Sequence, residues 1–171
     1  MKKLIIAVLF TVIVTAAMSH AQTCTRRVEV SAGFSYCPPA GWIPDQTPNE
    51  PFLEYRSPAP GPAMNINFKS EITTLSHGDY MMAAIRYIFA MDAPKLTARK
   101  LTAWNAFKTS TGVTGSHVVW ESKYDGVDIR SVQYSFDLPD RKLLLTGTAT
   151  PDNKAADAIF DAVAKSFAKT R

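Results

Sequence analysis

The side chains best suited to chemistry are few: three histidines and two cysteines in 171 residues. His20 falls inside an N-terminal leader, so only His77 and His117 are left to act as base, acid or metal ligand. Ser76-His77 and Ser116-His117 set a serine beside each of them in sequence. Neighbours on a strand point to opposite faces, and no Gly-x-Ser-x-Gly elbow is present to raise a nucleophile. A Ser-His-Asp site is defined by geometry rather than order, yet it would have to recruit one of only two histidines. His77 with Asp79 lies at a helix start, whose dipole favours anions over cations, so His77 is read as supporting the cap and His117 as occupying a strand face. Dispersed histidines of this kind lack the spacing of a zinc site. Asp125-Gly126-Val127-Asp128 lacks the alternating oxygen ligands and distal glutamate of a calcium loop, and a tight turn accounts for both its Asp and its Gly. No glycine-rich phosphate loop occurs. The expectation is a non-enzyme with no catalytic residues, no cofactor and no metal.

The leader has the order a secretion signal needs. Lys2 and Lys3 precede an uncharged run from Leu4 to Met18, and Ser19-His20-Ala21 offers a small-residue cleavage site. The run falls short of the roughly 20 residues that span hydrocarbon. Residues 1–21 are therefore expected to be a cleaved signal peptide, and 22–171 a single exported domain with no stable membrane insertion. Gln22-Thr23 ahead of Cys24 spoils a lipid-attachment site. Losing Lys2 and Lys3 takes the 19 basic residues to 17 against 15 acids, so the net charge falls from +4 to +2. No basic run concentrates that charge, which argues against nucleic acid as a partner. A domain of about 150 residues buries about 70% of its unfolded surface, enough for one core.

An even cysteine count in an exported chain predicts one disulfide, Cys24 to Cys37, tying the first strand to the next. Without Cys-x-x-Cys spacing it is structural rather than a redox centre.

These groups must be positioned by an α+β domain. Arg26–Val30 and Phe34–Cys37 read as short strands, and Phe52–Arg56 with Met64–Lys69 as a hairpin across the Pro58–Pro62 turn. Met64, Ile66 and Phe68 share one face, with Asn65, Asn67 and Lys69 on the other. The proline-rich stretches 38–51 and 58–62 are surface loops. Ser76 caps a helix that Pro94 ends, and Met81, Ile85, Ile88 and Phe89, widened by Tyr80, Ala84, Tyr87 and Met91, predict extensive burial against a sheet. Leu96–Ala103 and Ala106–Thr111 look like a strand pair. His117–Tyr124, Val127–Asp137 and Lys142–Thr150 form a meander, its first turn set by Asp125-Gly126. A last helix is capped by Thr150 with Pro151 first and Asp152 second, and Ala156, Ile159, Phe160, Val163 and Phe167 form its apolar stripe. The sum is an antiparallel sheet of about six or seven strands sandwiched by two helices.

The run Gly33-Phe34-Ser35-Tyr36, the turn Pro39-Ala40-Gly41-Trp42, the Asn65-Ile66-Asn67 strand, the meander and the final amphipathic helix resemble the PsbP/Mog1/DcrB-like superfamily. The resemblance implies an antiparallel sheet between helices and a role in binding, and it carries over no catalytic residue. Trp42, Tyr55 and Arg56 are candidates for a partner surface, as aromatic and arginine anchors are, and Trp104 is of the same type. Trp42 has a second reading, closing the core over the sheet edge, which the resemblance favours. The expected function is an exported binding or accessory module, periplasmic or extracellular, that engages another envelope protein through an apolar patch near the proline loops. The alternative is a small-ligand or metal-binding protein with a pocket between helix and sheet; a hydrolase is a distant third.

Overall fold

Asp125 and Gly126 both adopt positive φ, 50° and 81°, the backbone that a tight hairpin turn requires. They join strand β7 (Thr114–Tyr124) to β8 (Val127–Asp137), and Arg141–Ala149 returns as β9. A computed structural model describes residues 24–29, 33–45, 52–58, 64–90 and 92–170. The expected leader and its cleavage point lie outside the described residues, as do the tips of both proline-rich loops.

Ahead of the meander come β1 (Arg27–Glu29), β2 (Phe34–Tyr36), β3 (Ile43–Asp45), β4 (Phe52–Arg56), β5 (Asn65–Ile72), helix α1 (His77–Ala90) and β6 (Leu96–Lys108). Helix α2 (Lys154–Lys165) and a short β10 (Ala168–Lys169) end the chain. Seven strands form one antiparallel sheet in the order β3-β4-β5-β9-β8-β7-β6, and β1-β2-β10 form a small second sheet. The architecture is α+β, with the helices on the two faces of the large sheet.

Alternation along the strands builds the main core. Ile66 and Phe68 on β5, Leu143 and Leu145 on β9, and Val132, Tyr134 and Phe136 on β8 are all buried in one cluster. Ala156, Phe160, Val163 and Ala164 of α2 cover it. The helix comes close because β9 has no side chain at Gly147: a Cβ there would stand 2.4 Å from the Phe160 ring. The small sheet closes one end, with Phe167 stacked on Phe136 at 4.3 Å and Tyr36 against Phe68 at 4.3 Å. Arg26 donates to the Ser166 carbonyl at 2.6 Å, and the Cys37 amide donates to Ser166 Oγ at 2.8 Å, fastening the N-terminal hairpin to the end of α2.

Strand β3 forms within the 38–51 stretch expected as a surface loop, and three further local expectations are corrected. Residues 96–108 are one strand, not a pair; irregularities between Thr97 and Lys100 and between Leu101 and Ala103, with Ala98 at φ 49°, let one long strand follow the twisted edge. Helix α2 starts at Lys154 rather than at Pro151. The Asn153 amide bonds back to the Thr150 carbonyl, and the Thr150 side chain bonds Asp152, so these residues close a turn that precedes the helix. The third correction is the burial of α1. Ser76 caps it as expected, its Oγ accepting from the Asp79 amide at 3.2 Å and donating to the Asp79 carboxylate at 2.6 Å. Only Tyr80 and Met81 are fully buried, and Tyr87 is 69% exposed. The sheet face beneath α1 is largely polar, so a broad apolar stripe finds only Val118, Trp120 and Leu144 to pack on.

Candidate functional site

On a strand that is apolar at every second position, the intervening residues share the opposite face. Here those residues are mostly polar. Register places Asn67, Thr146 and Gln133 in one row across β5, β9 and β8, with Asn65, Thr148 and Ser131 on one side of it. On the other side run Lys69, Leu144 and Ser135, then Glu71, Lys142 and Asp137. The Asn67, Lys69 and Glu71 rows supply the floor beneath α1, whereas Asn65 and Thr148 line a different groove.

Helix α1 covers only part of this floor. Between it and the strands β5, β9 and β8 lies an open groove of about 920 Å³. Asn67, Lys69, Thr146 and Gln133 contribute to its floor, Ala83, Ala84, Tyr87 and Ile88 its helix wall, and Ile72 and Leu75 its rim. Three rim side chains face water despite being apolar: Ile72 is 80% exposed, Tyr87 69% and Leu75 45%. The floor's charges are paired. Lys69 contacts Glu71, which also accepts from Tyr80 Oη at 2.7 Å, and Lys142 contacts Asp137. Burial pushes the Glu71 carboxyl up, but the Lys69 and Tyr80 hydrogen bonds outweigh it and hold the group below its usual range. Burial, reinforced by Glu71, pushes the Tyr80 hydroxyl well above its ordinary value, so it remains a donor. Gln133 is only 3% exposed, and its Oε1 has no hydrogen-bond partner. A second groove, of about 760 Å³, lies where Arg56, Asn65, Thr148, Tyr124 and Val127 meet.

The histidines separate. His77, the first residue of α1, places Nε2 2.9 Å from Ser116 Oγ and 3.2 Å from Ser135 Oγ. The fold therefore joins His77 to the serine that neighbours the other histidine in sequence. This pair has the reach of a nucleophile and base, but Ser135 is fully buried and Ser116 nearly so. His77 Nδ1, where an orienting carboxylate would sit, has no partner, and Asp137 is engaged by Lys142. Burial holds the His77 imidazole below its usual pKa, with Lys142 adding to and Asp137 opposing the effect. His117 lies on the other side of the sheet, stacked on Tyr134 at 4.9 Å, and is likewise held down by burial against the pull of Asp161. Among the described residues no group of three or more His, Cys, Asp or Glu is placed to hold a metal ion. No helix among them is long and apolar enough to cross a membrane.

The residues singled out in the sequence do not assemble into one site. Cys24 and Cys37 are disulfide-bonded, with Cα atoms 5.7 Å apart. Trp42 is half-buried and packs on the main core. Tyr55 lies inside, 4% exposed, its Oη 3.0 Å from Tyr36 Oη. Arg56, the next residue on β4, points outward and pairs with Asp45 and Glu54. Strand alternation thus separates Tyr55 from any surface that Arg56 joins. Trp104 is 41% exposed on β6, at the far side of the sheet from β3 and β4. The exposed apolar rim of the first groove lies beyond the end of β5, while Tyr124 and Val127, also exposed, line the second groove with Arg56, Ser57 and Met64. Sequence reading passed over Gln133, Glu71, Ile72 and Leu75. Their signal was available in the alternation of Ser131, Gln133 and Ser135 with Val132, Tyr134 and Phe136, which marks a strand polar on a face that a helix covers.

No protein-family model matches the sequence, and neither does any curated protein. Solved structures do match the fold. PsbP (CyanoP) from Synechocystis is 13% identical, with 85% of this chain and 91% of that one covered at a TM-score of 0.64. LpqN of Mycobacterium tuberculosis, described as involved in cell envelope biogenesis, is 12% identical, with 89% and 88% covered at 0.62. The Ran-binding protein Mog1p of Saccharomyces cerevisiae is 10% identical, with 86% and 97% covered at 0.57. Two helices and a seven-stranded antiparallel sheet among the described residues give the chain the fold that these three structures share.

Proposed function

We propose that this domain is a non-catalytic accessory module that works after export by binding another envelope protein, and that the α1 face of the large sheet is its binding face. The observation that carries the reading is the incomplete cover of that face: Ile72, Leu75 and Tyr87 stand exposed around a groove with a neutral polar floor. The Cys24–Cys37 disulfide suits an oxidising compartment such as the periplasm. Of the proteins that share the fold, Mog1p is a Ran-binding protein and LpqN is tied to envelope biogenesis, which supports a binding role in the envelope. The buried serines beside His77 and its unpartnered Nδ1 weigh against a hydrolase.

The test is site-specific photo-crosslinking in the cell of origin, with the photoreactive residue at Tyr87 or, on the solvent side of α2, at Lys165. The expected result is one discrete envelope-protein adduct from position 87 and none from position 165. Adducts from neither site, or equally from both, would remove the basis for this reading.

A further inference from the structure

We propose that the groove between α1 and strands β5, β9 and β8 holds an extended, uncharged segment of the partner polypeptide, which donates a hydrogen bond to Gln133 Oε1. The inference rests on the binding-module reading of this face and deepens it by naming what the face takes.

Gln133 sets the hydrogen-bond chemistry. Its side chain is 97% buried by neighbours (3% exposed), it lines the groove, and its carbonyl oxygen is unpartnered. A buried acceptor left unpaired is costly, so the free protein carries a penalty that a donor in the groove relieves. The occupant therefore presents an N–H or O–H at that point.

Charge sets a second limit. Lys69 and Glu71, the one basic and one acidic side chain that line the groove, neutralise one another, so its floor presents neither sign in excess. A strongly acidic or basic segment would gain no partner there and would lose hydration.

Shape decides between a small molecule and a chain. Small-molecule sites enclose most of their ligand, whereas this groove is only partly enclosed. Its floor follows β5 from Asn67 to Glu71, room for roughly four or five residues of extended chain. Ala83 and Ala84 make the helix wall low, so a backbone can lie close to it. An extended segment sends alternate side chains down to the polar floor and outward to Ile72, Leu75 and Tyr87, covering both kinds of surface together. The floor is the middle of a sheet and not an edge, so recognition runs through side chains rather than by strand addition.

The experiment is selection of a displayed library of random peptides on the disulfide-bonded protein, followed by anisotropy titration of the enriched peptides. Uncharged peptides are expected to be enriched. Ala83→Trp, on an exposed helix position, fills the groove and should weaken their binding about tenfold or more. Gln133→Leu should weaken it about threefold or more by removing the acceptor, while Tyr124→Ala in the second groove changes it less than about twofold. Tyr87→Ala, at another exposed position, gives an independent check should Ala83→Trp disturb α1. Absence of enriched peptides, enrichment of charged ones, or binding that survives both Ala83→Trp and Tyr87→Ala overturns the proposal. Thermal stabilisation by small neutral metabolites in place of peptides does the same. If position 87 still crosslinks an envelope protein while no peptide binds, this inference falls and the binding-module reading stands.

Discussion

The imidazole of His77 meets Ser116 Oγ at 2.9 Å, tying the first residue of α1 to strand β7 of the large sheet. It is a polar fastening on a face where α1 has few apolar ones, since Tyr80 and Met81 are its only fully buried side chains.

That fastening predicts an acid sensitivity. Burial lowers the pKa of both His77 and His117 in the folded state. Below the unfolded value near 6.5 the unfolded chain binds more protons than the folded one, so stability falls as pH drops from about 6.5 and levels off below the folded pKa values. Urea midpoints measured from pH 8 to pH 5 should show this decline. His77→Gln should flatten its share of the slope, and a parallel slope in the variant would show that His77 contributes none.

Gly147 predicts a steric effect with its own rescue. Gly147→Ala places a methyl group against the Phe160 ring and should cost about 1–3 kcal/mol by overpacking. In a Phe160→Leu background, which is itself destabilised, the same change should cost markedly less. Denaturant titration of the four proteins gives the coupling, and simple additivity would mean that the two residues do not press on one another.

The disulfide predicts a loss on reduction. Cys24 and Cys37 are 13 positions apart, and opening a loop of that size costs about 3 kcal/mol in the chain-entropy account. Cys24→Ser with Cys37→Ser should lower the urea midpoint without changing the far-UV spectrum, because the large sheet lies outside the loop.

Trp42 and Arg56 should part company. Trp42 packs on the core, so Trp42→Ala should cost about 1–3 kcal/mol, less than the figure for a fully buried aromatic. Arg56 is exposed and holds two surface ion pairs, so Arg56→Ala should cost less than about 1 kcal/mol. Equal effects in thermal melts would contradict this division.

Local signals in the chain determined a good part of the outcome. Asp125-Gly126 dictates its hairpin because both positions adopt positive φ; Ser76 with Asp79 starts α1; and the period of Ile66 and Phe68 against Asn65 and Asn67 decides which way β5 faces. The two cysteines find each other because there is no third. The α+β layering was legible for the same reason, since it follows from the order of such elements. What the tertiary structure alone decided depends on contacts between distant strands. Gln133 meets Thr146 and Asn67 only through sheet register, and His77 meets Ser116 only because α1 crosses β7 and β8. Tyr55 and Arg56 look alike as anchors until β4 turns one inward and the other out. The apolar stripe of α1 promised deep burial, but burial depends on the surface opposite, and a polar floor left Tyr87 in water.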